Sequence, residues 1–373
     1  MPRVTPSLWV RRLGVFGVRN ISALELEPSP KINVISGDNG HGKTSLLEAV
    51  YFLATSRSFR SDKLKEVCQD GSDITRVSAS LSERDVERSQ RIGVQHGRKK
   101  LSVDGKAPDR LSAYAVRTPV VVFHPGDLQL IAGTAALRRT LLDRIALFRN
   151  PASADHRARY RQAQRERQLL LETKGVNAPE LDAFEALVSQ HGAALQVARY
   201  EAADALQSAL LPAFDNMAAA DLELKLELAP AGCTDQQKYV EALRERRTKD
   251  ARRKSASFGP HRDDLVLEIN GRSARKHASQ GQQRVLTLAL KVAELTCVRQ
   301  ARGVDPLLLL DDVSSELDPT RTGAVYDFVR QTDSQVFVTT TRPGLFQTPD
   351  LQDDERADFR LKDGALIHPT DLA

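Results

Sequence analysis

Aromatic side chains are scarce: Phe, Tyr and Trp make up 5% of the 373 residues, and most of them are Phe. That excludes a wide platform for stacking successive bases, so any nucleic-acid contact is expected to be mainly to phosphates. Cysteine is scarcer still. Cys68, Cys233 and Cys297 are scattered, with no C-x-x-C pair and no zinc spacing, which points to a reduced, cytoplasmic compartment. Long apolar runs are missing as well. The longest tight one is Leu307–Leu310, far short of the roughly 20 residues a membrane-crossing helix needs. Arg11 and Arg12 interrupt anything like a signal-peptide core near the N-terminus. Nor is there a strong charge imbalance: 54 basic and 49 acidic residues leave +5, only a weak pointer to a polyanionic partner.

What is present fits a soluble globular protein, with 41% hydrophobic and 28% charged residues. The length favours two domains over one core. The first third reads as short strands around one helix. Leu8–Leu13, Ser22–Leu26 and Lys31–Ser36 are expected strands, and Lys43–Ala54 is an expected helix. Strand signals return at Asp73–Ser82 and in RIGVQHGRKKLSVDG, where His96-Gly97 and Asp104-Gly105 mark turns. Thr118–Phe123 has the β-branched look of a buried strand.

From about Thr134 to Asn216 the strand signals vanish. Leu181, Phe184, Val188, Leu195, Ala202, Leu206 and Leu210 recur at helical spacings, and Gly175–Pro179 punctuates the segment. Two antiparallel helices, Ala154–Thr173 and Pro179–Leu211, are therefore expected, their stripe the core of a helical lobe. A polar linker, RERRTKDARRKSASFGPHRDD, leads back to strands at Asp264–Ile269, Pro306–Leu310 and Gln335–Thr339 and a helix at Gly281–Arg302. The expected fold is α/β. Residues 1–125 and 250–373 make the head, and 126–249 form an inserted helical arm.

VISGDNGHGKTSLLE fits G-x-x-x-x-G-K-[ST] between an expected strand and helix. Gly37, Asp38, Asn39, Gly40, His41, Gly42, Lys43 and Thr44 are expected to cradle phosphates. Backbone N–H groups wrap the anion, Lys43 neutralises β/γ charge, and the Thr44 hydroxyl ligates Mg²⁺. In LLLLDDVSSELD, four aliphatics present Asp311 and Asp312 at the end of a strand. Asp311 is expected to hold Mg²⁺ and Asp312 to orient or deprotonate a water; taken alone, the pair could equally be solvated acids. Ser279, Gly281 and Gln282, an S-x-G-Q at a helix start, suit an anion, although a plain helix cap is the simpler reading of four residues by themselves.

Together, the glycine loop, S-x-G-Q helix and aspartate strand resemble an ATP-binding-cassette ATPase, whose mixed sheet carries a P-loop. That resemblance implies an ATP-dependent homodimer, in which the S-x-G-Q of one head closes over ATP on the other. Ser314–Asp318 matches the loop lying across that interface. FGPHRDD, ASQGQQR, LLLDDVSSELD, SRSFR and HPGDLQLIAGTAALRRTLLDR narrow it further, since over nearly the whole chain they resemble the bacterial RecF family. That family has a head of the structural-maintenance-of-chromosomes type with a short antiparallel coiled-coil arm.

The resemblance implies ATP-dependent DNA binding in recombinational repair and replication. It also implies action at single-stranded, gapped or junction DNA, a role in the SOS response, and RecO and RecR as partners. The sequence departs from the family at Gly126 (usually Glu), at Ala135 (usually Pro) and near Phe184, where Trp is common. Thr339–Thr341 stand where many cassette ATPases place a histidine, and Asp312 replaces the more usual glutamate, so hydrolysis is expected to be weak and slow.

Three basic clusters are candidates for phosphate contact: Arg244–Lys254, Arg98–Lys100, and Arg57 with Arg60. Each could also be a solvated face. His261 and Arg262 are more readily internal partners of Asp263 or Asp264. Two alternatives share the glycine loop: a transporter ATPase subunit and a small-molecule P-loop kinase, in which the S-x-G-Q helix would have no job.

Overall fold

The computed structural model describes residues 5–215, 217, 222–312, 329, 332–343 and 353–367. In chain order the strands are β1 (Leu8–Val18), β2 (Ile21–Leu26), β3 (Ile32–Ser36), β4 (Ile74–Glu83), β5 (Val86–Gln95), β6 (Arg98–Val103), β7 (Val120–Phe123), β8 (Leu224–Ala229), β9 (Asp264–Ile269), β10 (Arg272–Ser273), β11 (Leu307–Leu310), β12 (Val336–Thr340), β13 (Arg356–Lys362) and β14 (Ala365–Ile367). The helices are α1 (Lys43–Thr55), α2 (Leu111–Ala115), α3 (Gln129–Ala132), α4 (Ala135–Arg149), α5 (Ala152–Thr173), α6 (Leu181–Asp215), α7 (Gln236–Glu245), α8 (Arg247–Arg253), α9 (Ala274–His277) and α10 (Gln280–Arg302).

The chain divides into two compact units, residues 1–127 with 298–373, and residues 128–297. The first unit holds two sheets. One is antiparallel, in the order β2-β1-β4-β5-β6. Its strands alternate, so Leu13, Val15, Val77, Ala79, Leu81, Ile92 and Val94 point to one face and join a core with Leu46, Leu47 and Val50 of α1. The other runs β14-β13-β3-β12-β11-β7, and all its neighbours are parallel except β14 on β13. Every residue of β7, β11 and β12 is buried, which is why LLLL and VVVF read as unbroken apolar runs.

In the second unit α5 and α6 are antiparallel, since His156 meets His191 while Arg167, further along, meets Glu185. Of the stripe, Leu181, Val188, Leu195, Ala202, Leu206 and Leu210 are buried, as their spacing predicts, while Phe184 is half-buried. A three-stranded sheet, β10-β9-β8, shares a core with α4, α6 and α10.

Several expectations need correcting. Part of the expected linker is helix: Arg244 and Glu245 end α7, and α8 follows at Arg247–Arg253. Arg247 donates to Glu185 and Asp182, and Asp250 is fully buried against Arg167, so two of the segment's charges have internal partners, while Lys249, Arg252, Arg253 and Lys254 are exposed. β8, β13 and β14 were not expected. The second boundary also differs: residues 250–297, expected in the head, belong to the second unit because β9 pairs with β8 and the first part of α10 packs in the lobe core.

Candidate nucleotide site

Parallel pairing decides where the chemistry lies. β3 and β12 run side by side with Thr340 opposite Ser36, and β12 and β11 with Val338 opposite Leu310. Three carboxyl ends therefore meet at one edge of the sheet, the usual place for ligand binding in open α/β sheets. β3 delivers the glycine loop, β11 delivers Asp311 and Asp312, and β12 delivers Thr339. A cavity of about 840 Å³ opens there, lined among others by Asn39, Gly40, Gly42, Lys43, Thr44 and Asp312.

The loop is held from two sides. Asn20, in the β1–β2 turn, donates from Nδ2 to the Gly40 carbonyl (2.9 Å) and accepts from the Ser45 hydroxyl (2.8 Å). From the other side, the β13–β14 turn donates Asp363 N–H to His41 Nδ1 (2.8 Å) and Gly364 N–H to the His41 carbonyl. Leu361 explains Gly37: a Cβ there would sit 2.4 Å from the Leu361 carbonyl oxygen. Gly42 has φ 98° and caps α1 without any side-chain hydrogen bond, so a side chain claims none of the helix's first N–H groups. Those groups and the helix dipole suit an anion.

Lys43 is buried to 7% exposure, and its Nζ donates to the carbonyls of Gly37 (2.7 Å) and Asp38 (2.9 Å). Burial pulls its pKa down, while the nearby charges of Asp312, Asp311 and Asp38 push the other way. Thr44 donates to Asp311 Oδ1 at 2.8 Å. The two groups expected to share Mg²⁺ are thus adjacent, one hard oxygen donor against another, beside a buried ammonium; the set fits a magnesium–triphosphate. Thr339 donates to Asp311 Oδ1 (2.9 Å) and accepts from the Asp312 N–H (2.9 Å). Its hydroxyl is occupied in fixing the two acids. Asp312 has φ 46°, left-handed backbone that Asp tolerates better than most residues.

Glu48, fully buried in α1, has no counterpart among the sequence expectations. It accepts from Arg19 twice at 2.8 Å, from the Ser58 hydroxyl at 2.5 Å and from Arg60 at 3.5 Å. Both arginines line the cavity. Arg60, one of the candidate phosphate contacts, lines the cavity at the glycine loop. Asn20 and Glu48 carry no local signal, because each acts across a turn or a helix that only the fold brings together.

Ser279 and Gln282 lie in the second unit as a reciprocal cap. Ser279 N–H donates to Gln282 Oε1 (2.9 Å) and Gln282 N–H donates to Ser279 Oγ (3.2 Å). The simpler reading of the tetrapeptide is therefore present, on an exposed helix start that leaves Gly281 at the first turn. Ser314–Asp318 lies outside the described residues. His261 and Arg262 do not pair with Asp263 or Asp264. Those acids bind Arg199 and Arg138, while His261 meets the Tyr160 hydroxyl at 2.6 Å.

The family model described as the RecF/RecN/SMC N terminal domain matches residues 9–353. The DNA replication and repair protein RecF of Anaeromyxobacter sp. (strain Fw109-5) is 38% identical over 367 residues, 96% of this chain and 98% of that one. The protein of the same name from Myxococcus xanthus (strain DK1622) is 38% identical over 349 residues, 89% and 90% of the two chains. A solved structure of the recombination mediator protein RecF with ATP, of the RecFOR pathway, superposes with a TM-score of 0.86 at 26% identity, covering 98% of this chain and 99% of that one. An Smc head from Pyrococcus furiosus, at 15% identity and a TM-score of 0.54, shares the fold over 96% of this chain and 95% of that one.

Proposed function

The chain belongs to the RecF family, and on that footing we propose that it is an ATP-gated DNA-binding protein of recombinational repair and replication. The observation that carries this reading is the convergence of the glycine loop, the Thr44–Asp311 pair and buried Lys43 at one sheet edge. Bound ATP with Mg²⁺ supplies a polyphosphate whose charge holds the site together. Lys43 and the first N–H groups of α1 bind phosphate oxygens, and Thr44 and Asp311 hold the ion. Asp312 orients a water. Ser279, Gly281 and Gln282 of a second copy complete the pocket, so two nucleotides join two chains around single-stranded, gapped or junction DNA.

Hydrolysis is weak, stimulated by DNA, and serves release. The Thr339 hydroxyl is a poor base and is already engaged with both acids. A turnover of many per second would contradict this. Partners of the RecR and RecO type, a part in the SOS response and a cytoplasmic location follow from the family. Among the described residues no helix is long and apolar enough to cross a membrane. No observation favours the transporter or kinase alternatives.

Sedimentation velocity tests the clasp. The wild type should shift from monomer to dimer when ATP is added, and Lys43→Met should remain monomeric. A dimer that forms equally without nucleotide would refute it.

A further inference from the structure

The antiparallel sheet of the first unit has a second face, opposite α1. Its outward residues line up across the strands. One row runs Phe16, Arg76, Gly93, Lys100 over β1, β4, β5 and β6. The next runs Gly14, Ser78, Arg91, Ser102, and a third runs Ile74, Gln95, Arg98. Phe16 and Ile74 are 42% and 47% exposed, high values for large apolar side chains on a sheet. The Arg76 guanidinium lies over the Phe16 ring at 5.9 Å.

The charge on these three rows is one-sided, while Glu87, further along β5 on the same face, is met by Arg11 at 3.8 Å. Arg76, Arg91, Arg98 and Lys100 make no ion pair among the described residues, and the Lys100 ammonium reaches only the Gln95 amide (3.4 Å). The one acid on these rows, Glu25 opposite Gly14, is held by Arg12 at 3.2 Å. Lys99 differs from its neighbours. It turns inward, donating to the Ser56 carbonyl over the Phe52 ring, and takes no part.

We propose that this face, centred on Phe16, Arg76, Arg91 and Lys100, is a seat for a nucleic-acid strand. Arg76, Arg91, Arg98 and Lys100 take its phosphates, and the Phe16 ring beside Arg76 takes a sugar or base. Neighbouring strands are about 4.8 Å apart, so Arg76 and Lys100 stand roughly 10 Å from each other, within reach of one polyanion. Glycine and serine between them keep the surface low, and a strand can lie close. A single exposed aromatic with a guanidinium suits one stacked base and is consistent with the scarcity of aromatics elsewhere. The inference rests on the DNA-binding reading and adds the surface that does the binding. Of the three basic clusters, it selects the end of the hairpin that includes Arg98 and Lys100. The Arg244–Lys254 cluster is a weaker candidate, because Arg244 and Arg247 are already paired with Asp182.

The test is a titration of labelled gapped duplex in ATP at salt concentrations from about 50 to 200 mM. It compares the wild type, the Arg76→Ala/Arg91→Ala/Lys100→Ala triple variant and Phe16→Ala. The triple variant should still bind ATP, bind DNA at least tenfold more weakly, and lose about two to three units from the slope of log affinity against log salt. Phe16→Ala should weaken binding about tenfold at every salt concentration, with the slope unchanged. If the triple variant also loses ATP binding, the single variants Arg91→Ala and Lys100→Ala replace it, and each should lower the slope by about one. Wild-type affinity and slope in the variants would overturn the inference while leaving ATP-gated DNA binding intact. A wild type that does not bind DNA in ATP would overturn both.

Discussion

In the second unit the buried arginines meet carboxylates. Arg138 clasps Asp264, Arg167 bridges Glu185 and Asp250, and Arg199 joins Asp143 and Asp263. All three are exposed by 3% or less. In the first unit Lys43 is nearly as buried, yet it rests on two backbone carbonyls, and the carboxylate of nearby Asp311 is taken up by Thr44 and Thr339. The same charge is used in two ways. Where cation and carboxylate are matched inside the protein, the charge holds helices together and adds little for a ligand. Where the cation's hydrogen bonds go to backbone carbonyls and its neighbouring acids stand off, its charge remains available to an incoming phosphate.

Arg167 is the sharpest way to break that comparison. Arg167→Met leaves Glu185 and Asp250 buried without their shared partner and should cost about 3–5 kcal/mol in urea unfolding, with ATP affinity unchanged within twofold. If ATP binding falls in parallel, the two charge systems are not separate. Lys43→Met should do the reverse. ATP affinity should drop about 100-fold by calorimetry, near 2.7 kcal/mol, while the unliganded protein loses far less stability. A smaller effect is expected from Asn20→Ala. Freeing the Gly40 carbonyl and the Ser45 hydroxyl should weaken ATP by about tenfold, near 1.4 kcal/mol, with no change in unfolding slope.

The smallest expected effect is on pH. His191 lies against His156, Nδ1 to Nδ1 at 3.1 Å, and burial followed by the positive neighbours His156 and Arg159 lowers its pKa from 6.5. The folded state therefore resists protonation. This contribution is fully present above about pH 6.5 and is lost as pH falls below it, by under about 1 kcal/mol. His191→Gln should flatten that dependence in urea titrations between pH 7 and 5. An equally steep slope in the variant would assign it to another group.

These pairings also explain what the sequence could reveal. The glycine loop was legible because Gly37, Gly42, Lys43 and Thr44 answer local demands: a backbone conformation, a close approach, a charge and a hydroxyl at fixed spacing. β11 and α6 were legible because burial imposes runs and stripes on neighbours in sequence. Arg247 and Asp250 were misread as a solvated linker because their partners lie about 65 and 83 residues away, and no local pattern distinguishes a paired arginine from a free one. Asn20 and the Asp363 turn were missed for the same reason: they reach the loop from 20 residues before and 322 residues after the atoms they bind. Arg60 is legible as basic, but only the fold shows that Glu48 holds it at the cavity beside the glycine loop.

The most direct test of ATP as a clasp is fluorescence anisotropy of a labelled gapped duplex titrated with the protein in ATP, in ADP, and with Lys43→Met in ATP. Tight binding in the first case alone is predicted. Equal, weak binding in all three would mean that the nucleotide does not gate DNA, and would contradict the account.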